Sequence, residues 1–230
     1  ATFLYTGDFK TQSTLLEKVA QAPNAEVLLM ECTYGLSQYS FPPREQTYAQ
    51  MKKWVEKRLH AGENIVFGGY ALGKSQELIK FLNDYCQITP VVNPSISLVN
   101  KVYEKHGVKL NYVDSQEDQT ALSKQFVAVL PMHQVNYGLK QLLESQYSRK
   151  TATAVATGWG ATRSHKADAC FALSDHCDYN SLVEFVRQVN PKRVYCTHGF
   201  SKEFAYSLSK LGFNAAALEE QQTLLNYNVI

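Results

Sequence analysis

Short apolar runs alternate along the chain with longer stretches whose apolar residues recur every three or four positions, and this alternation predicts an α/β protein. Strand-like runs cover Thr2–Tyr5, Val27–Glu31, Asn64–Tyr70, Val91–Asn93, Leu110–Val113, Phe126–Leu130, Thr153–Thr157, Ala169–Leu173, Arg193–Thr197 and Asn214–Leu218. Most are too apolar to spare a solvated face, which predicts sheets covered on both sides. Helical periodicity is plainest over Pro43–His60, which opens on two prolines, carries Tyr48, Met51, Val55 and Leu59 along one stripe and stops at Gly62. Further helices are predicted over Gly73–Asp84, Ser95–His106, Tyr137–Gln146, Asn180–Val189 and Lys202–Leu211, the last ended by Gly212.

Composition narrows the classes. With 230 residues, 45% of them hydrophobic, the chain is long enough for one large domain or two smaller ones around a sizeable core. The 23 Lys+Arg nearly balance 21 Asp+Glu, and a net charge of +2 is too small a bias to name a partner. No apolar run approaches the ~18–20 residues that span a bilayer, and the start lacks the charged and apolar regions of a signal peptide, so a cytoplasmic, non-membrane protein is expected. Cys32, Cys86, Cys170, Cys177 and Cys196 are scattered without a CxxC spacing and read as reduced thiols. The first residue is Ala1, not Met, and leads straight into a strand, as expected of a piece of a longer protein.

Four polar motifs follow predicted strands: Thr6-Gly-Asp8-Phe9-Lys10, Glu31-Cys-Thr-Tyr-Gly35, Ser174-Asp-His176-Cys-Asp-Tyr179 and Thr197-His198-Gly199. Open α/β sheets place ligands at the carboxyl ends of their strands, where a carboxylate or imidazole is held rigidly over a crevice. Taken singly, Asp8 reads more readily as a turn or helix-capping carboxylate, Glu31 equally as half of a salt bridge, and His176 and His198 more commonly as hydrogen-bonded interior histidines.

Joint order changes that balance. The succession TGDFK (6–10), ECTYG (31–35), FPPREQTY (41–48), YALGKSQEL (70–78), TGWGATR (157–163), LSDHCDY (173–179) and NPKRVYCTHGF (190–200) resembles the β-CASP branch of the metallo-β-lactamase superfamily. Within it the chain is most similar to the prokaryotic group of ligase-associated DNA exonucleases and proteins resembling messenger-RNA 3′-end processing factors. The resemblance implies a partial metallo-β-lactamase αββα sandwich, from 1–41 and 166–230, carrying an inserted α/β β-CASP domain over 42–165, with nucleic acid in the cleft between them. It implies zinc-dependent hydrolysis of phosphodiester bonds in RNA or single-stranded DNA, in RNA processing or DNA repair. Asp8 then matches a carboxylate bridging two zinc ions, His198 a metal ligand, Glu31 an acidic residue orienting a histidine, and His176 that histidine, which protonates the leaving oxygen or steadies the phosphate. The Tyr70–Lys74 turn matches a phosphate-side loop in which Lys74 touches the nucleic-acid backbone. Trp159, between two glycines, is a candidate for stacking on a base or for packing in a tight turn. Arg163 and His165, in a basic loop, are candidates for phosphate contact or for plain solvation.

The chain also departs from the family. Members carry an HxHxDH motif and a further histidine ahead of the position of Asp8, whereas seven residues precede Asp8 and no two of the six histidines are separated by one or three residues. Zinc wants three or four protein ligands, so this chain alone is expected to bind zinc poorly and to be inactive. Its sheet is expected to show an open apolar edge and face, covered by a complementary N-terminal segment, a partner chain or a second copy. The alternatives are a catalytically inactive scaffold in a nucleic-acid-processing complex and a metallo-hydrolase of small molecules.

Overall fold

The computed structural model describes residues 1–19, 22–161 and 167–218. They form two compact units, one from the described parts of Ala1–Phe9, Gln21–Gln38 and Cys177–Ile230, the other from those of Lys10–Ala20 and Tyr39–His176. All ten strand runs and all six helices read from the sequence are present, together with short 3-10 turns.

The first unit is a four-stranded parallel sheet in the order β1-β2-β9-β10, from β1 (Phe3–Tyr5), β2 (Val27–Glu31), β9 (Arg193–Thr197) and β10 (Ala215–Ala217). Alternation in β2 and β9 sends Leu28, Met30, Val194 and Cys196 to one face, where Leu182 and Val186 of α5 (Tyr179–Val189) and Phe204 and Leu208 of α6 (Ser201–Lys210) bury them. Helix α5 starts where the Asp178 side chain accepts from the Ser181 amide, and ends at Asn190, left-handed at φ 49°. The other face departs from the expectation of double cover. Phe3 and Tyr5, in register with Val27 and Leu29, are 77% and 67% exposed on β1, while Val27, Leu29 and Tyr195 are half-buried.

The second unit is a six-stranded parallel sheet in the order β5-β4-β6-β3-β7-β8. It contains α1 (Arg44–His60), β3 (Asn64–Gly69), α2 (Lys74–Cys86), β4 (Val91–Val92), α3 (Pro94–Lys105), β5 (Val113–Asp114), β6 (Val127–Pro131), α4 (Tyr137–Tyr147), β7 (Thr151–Ala156) and β8 (Ala169–Phe171). Here both faces are covered, and β3 and β7 are buried at every residue. On one face Ile65, Phe67, Val129 and Ala154 meet Tyr48, Met51 and Val55 of α1 and Leu78, Phe81 and Leu82 of α2. On the other, Val66, Ala128 and Val155 meet Leu139 and Leu143 of α4.

Two differences from the sequence reading have local causes. The run Leu110–Val113 enters the sheet only from Val113, because the Asn83 side chain takes both the amide of Asn111 (2.8 Å) and its carbonyl (2.9 Å) away from any ladder. Residues 167–176, placed by sequence with the C-terminal segment, go with the second unit because β8 pairs with β7, Val155 opposite Cys170.

Candidate active site

Parallel strands end on the same side of their sheet, so the loops after β1, β2 and β9 share one edge of the first unit. Register fixes them closely: Glu31 lies opposite Thr197, and the Thr6 amide donates to the Leu29 carbonyl at 3.1 Å. The Thr6 hydroxyl in turn accepts from the Glu31 amide (3.3 Å) and donates to the Gly7 carbonyl (2.7 Å). Gly7, at φ +55°, turns the chain so that Asp8 is exposed at the edge. Phe9 anchors the far side of the turn, its ring 4.5 Å from that of Phe185 and its carbonyl accepting from the Cys177 amide at 2.9 Å.

Glu31 is the buried member of the set, at 2% exposure, and one carboxylate oxygen accepts from the Thr33 amide at 2.7 Å. His198 is the exposed one, held at φ 59° directly after β9. Such a left-handed backbone is costly outside glycine and persists only where its surroundings fix it. Here they do: Gly199 follows at φ 59° and crosses the β2 loop so tightly that an added Cβ would lie 2.5 Å from the Cys32 carbonyl oxygen. That same carbonyl accepts from the Gly35 (3.1 Å) and Phe200 (2.9 Å) amides. Beneath the loops, the Cys196 thiol and burial push the Cys32 thiol far above the ordinary thiol range, leaving it neutral and inert. All five cysteines are free thiols.

His176, Lys74 and Trp159 belong to the second unit. The His176 amide donates to the Ser174 hydroxyl at 2.9 Å. Lys74, matched by sequence to a phosphate contact, is 1% exposed and its ammonium binds Glu77 (2.7 Å) and Asp175 (3.1 Å) instead. The turn before it is also closed on itself: the Gly73 amide donates to Gln76 Oε1, the Lys74 amide to the Leu72 carbonyl and the Ser75 amide to the Tyr70 carbonyl. These three amides and the Lys74 ammonium all have partners within the protein. Trp159 packs edge to face with Tyr39, centroids 5.5 Å apart. Arg163 and His165 lie outside the described residues.

Among the described residues, no three His, Cys, Asp or Glu side chains gather closely enough to hold a metal ion. A zinc ion takes three or four protein ligands, so Asp8 and His198 do not fit as a zinc centre by themselves. What the sequence reading missed is the group around Lys74. Glu77 accepts from Lys74, from Arg44 and from the Tyr48 hydroxyl, and Arg44 also donates to the Ser174 carbonyl. Burial pushes the Glu77 carboxyl up, yet Lys74 and Arg44 outweigh it and hold the group below the usual range. No described helix is long and apolar enough to cross a membrane.

The family described as RMMBL, the Zn-dependent metallo-hydrolase RNA specificity domain, matches residues 170–218, the stretch that carries His176 and His198. A probable DNA ligase of Opitutus terrae is 35% identical over 228 residues, 96% of this chain and 21% of the ligase. The transcription termination factor FttA of a Lokiarchaeum species is 40% identical over 85 residues, 36% of this chain and 13% of the factor. The endoribonuclease ysh1 of Aspergillus fumigatus is 31% identical over 90 residues, 38% of this chain and 10% of the ribonuclease. The chain thus spans about a fifth or less of the length of these curated relatives. Together these matches support the resemblance to the β-CASP branch of the metallo-β-lactamase superfamily.

Proposed function

We propose that this chain is part of a zinc-dependent nuclease that hydrolyses phosphodiester bonds of RNA or single-stranded DNA. The four-stranded unit is the metallo-β-lactamase-type part and the six-stranded unit the inserted β-CASP-type part. The observation that carries the reading is the shared strand-end edge where a fixed turn presents Asp8, a strained backbone presents His198, and Glu31 is buried between polar neighbours. The left-handed residues Gln87, Ser148 and Asn190 cap helices, whereas His198 caps none, which supports a ligand or reacting role for its exposed imidazole.

Asp8 and His198 are the chain's metal ligands, and the remaining ligands come from a segment or partner chain outside these 230 residues. Glu31 is the orienting carboxylate and His176 gives its proton to the departing oxygen. Trp159 and Arg163 are candidates for base and phosphate contact. The relatives support this: one is a transcription termination factor, one an endoribonuclease and one a probable DNA ligase.

The test is elemental analysis for zinc with an intact-mass measurement, followed by incubation with single-stranded RNA, single-stranded DNA and an ester substrate in parallel. The complete protein, with the remaining ligands present and metal bound, is expected to cut an oligonucleotide and spare the ester, and His176→Ala in it to lower turnover by about 10²-fold or more with metal content kept. Unchanged turnover in that variant removes the role given to His176. Loaded protein inert on both nucleic acids replaces the nuclease with a binding scaffold.

A further inference from the structure

The second unit gathers a balanced group of charges, buried at Lys74 and Glu77, largely so at Arg44, and reaching the surface at Glu17. Arg44 and Tyr48 lie one turn apart on α1, and Lys74 and Glu77 one turn apart on α2, so each pair projects from one face of its helix. The packing of α1 on α2, seen in the stacked rings of Tyr48 and Phe81 at 5.8 Å, brings the pairs together. Glu77 takes hydrogen bonds from Arg44 and Tyr48 on one oxygen and from Lys74 on the other, at 2.7 Å. Lys74 also reaches Asp175 Oδ1 at 3.1 Å, and Lys10 stands 3.5 Å from the same oxygen while pairing with Glu17 at 2.6 Å. Three cations thus face three carboxylates.

Stability alone does not account for such a group. Burying ions costs several kcal/mol each, and well-packed apolar residues in their place are often as stable or more so. What the group supplies is geometry, and its outputs converge on one segment. Arg44 holds the Ser174 carbonyl, Lys74 and Lys10 hold the Asp175 carboxylate, and the Ser174 hydroxyl holds the His176 amide. The cluster therefore holds the segment leading into His176 at the Ser174 carbonyl and the Asp175 side chain, and the segment closes locally on the Ser174 hydroxyl.

We propose that the Arg44–Glu77–Lys74 cluster is the positioning device of the His176 loop, with Arg44 and Lys74 acting through Ser174 and Asp175 and not on nucleic acid. The catalytic half of this proposal rests on the reading of His176 as proton donor; the structural half does not. Lys74, a cation that a motif comparison assigns to phosphate, spends its charge inside the protein on a carboxylate that steers the neighbouring histidine.

Two conservative variants test it. Arg44→Lys keeps a cation beside Glu77 but loses the second arm to the Ser174 carbonyl, and Asp175→Asn keeps the shape but releases both ammonium groups. In each, amide hydrogen exchange over residues 174–177 should accelerate by roughly tenfold or more while exchange in α1 and β3 stays unchanged. In the metal-loaded enzyme, kcat should fall by about 10²-fold with KM held, the expected effect of a reacting group displaced by an ångström. The salt dependence of oligonucleotide binding should be unaltered. Unchanged exchange over 174–177 overturns the proposal, as does acceleration spread evenly over α1, α2 and β3. So does a raised KM with the salt slope reduced by about 0.7, the mark of one lost phosphate contact on a single strand. Complete, metal-loaded wild-type protein inert on RNA and DNA defeats the nuclease reading, and the exchange contrast then still decides the positioning.

Discussion

Replacing Gly199 by alanine tests whether the loop after β9 is held by close approach. Two costs are separable. At φ +59° a Cβ destabilises the left-handed conformation by about 1–2 kcal/mol. The new methyl would also sit 2.5 Å from the Cys32 carbonyl oxygen, 2.5 Å from Thr33 Cα and 2.8 Å from the Cys32 carbonyl carbon, all main-chain atoms that no rotamer change can move aside. Forcing the loops apart adds about 1–3 kcal/mol, the usual range for overpacking, and stretches the bonds that the Gly35 and Phe200 amides make to that carbonyl. Gly212→Ala supplies the control within the same unit: its φ is +90° and its Cβ would meet nothing within 4 Å, so it carries the backbone cost alone. Urea titrations read by hydrogen exchange in β2 and β9 peptides should show Gly199→Ala losing roughly 2–5 kcal/mol against about 1–2 for the control. Equal losses would refute the close approach, and with it the claim that this contact fixes His198.

Three further outcomes follow from the second unit. Phe67→Ala, at a fully buried ring packed against Trp54 (5.7 Å) and Phe171 (6.4 Å), should cost about 3–5 kcal/mol, read by tryptophan fluorescence because Trp54 and Trp159 both lie in this unit. Asn83→Ala removes the three hydrogen bonds that tie its side chain to the carbonyl of Ile88 and the backbone of Asn111, and should cost about 1–2 kcal/mol while raising exchange at the Asn111 amide. Glu77 and Asp175 both titrate below their ordinary values of 4.5 and 3.8, burial being outweighed by Lys74 with Arg44 in one case and with Lys10 in the other. A depressed carboxyl lends stability that is complete above its unfolded pKa and lost as pH falls through the folded one. Urea midpoints should therefore be flat above about pH 5 and fall below it, and Asp175→Asn should flatten the acid limb; an unchanged limb refutes the pairing.

Much of the architecture was legible because periodicity and burial agree. In α1 the stripe Tyr48, Met51 and Val55 read from the sequence is the stripe that is buried, and the continuous apolar runs of β3 and β7 are the strands covered on both faces. Reading failed where a side chain replaced a ladder partner, as Asn83 does for Asn111, since nothing local marks which asparagine will fold back on a chain 28 residues away. It also failed for the faces of the four-stranded sheet. Phe3, Leu4 and Tyr5 are all apolar, yet only Leu4 packs into the core, because period-two alternation carries no sign of which face has a partner.

The candidate site was legible as order and not as chemistry. Asp8 and His198 each follow a strand and Glu31 ends one, but nothing in the sequence separates the exposed pair from the buried carboxylate. The charged cluster marks the same limit more sharply. Arg44, Lys74 and Glu77 stand at helix starts with ordinary surface-type spacing, so each reads alone as a solvated residue. Their burial depends on two helices packing together, and their purpose on segments near residues 10 and 175 that arrive from opposite ends of the chain. All three nevertheless fall inside the FPPREQTY and YALGKSQEL strings that carried the family resemblance. Burying these ions is costly, and what they hold in return is the segment that ends at His176.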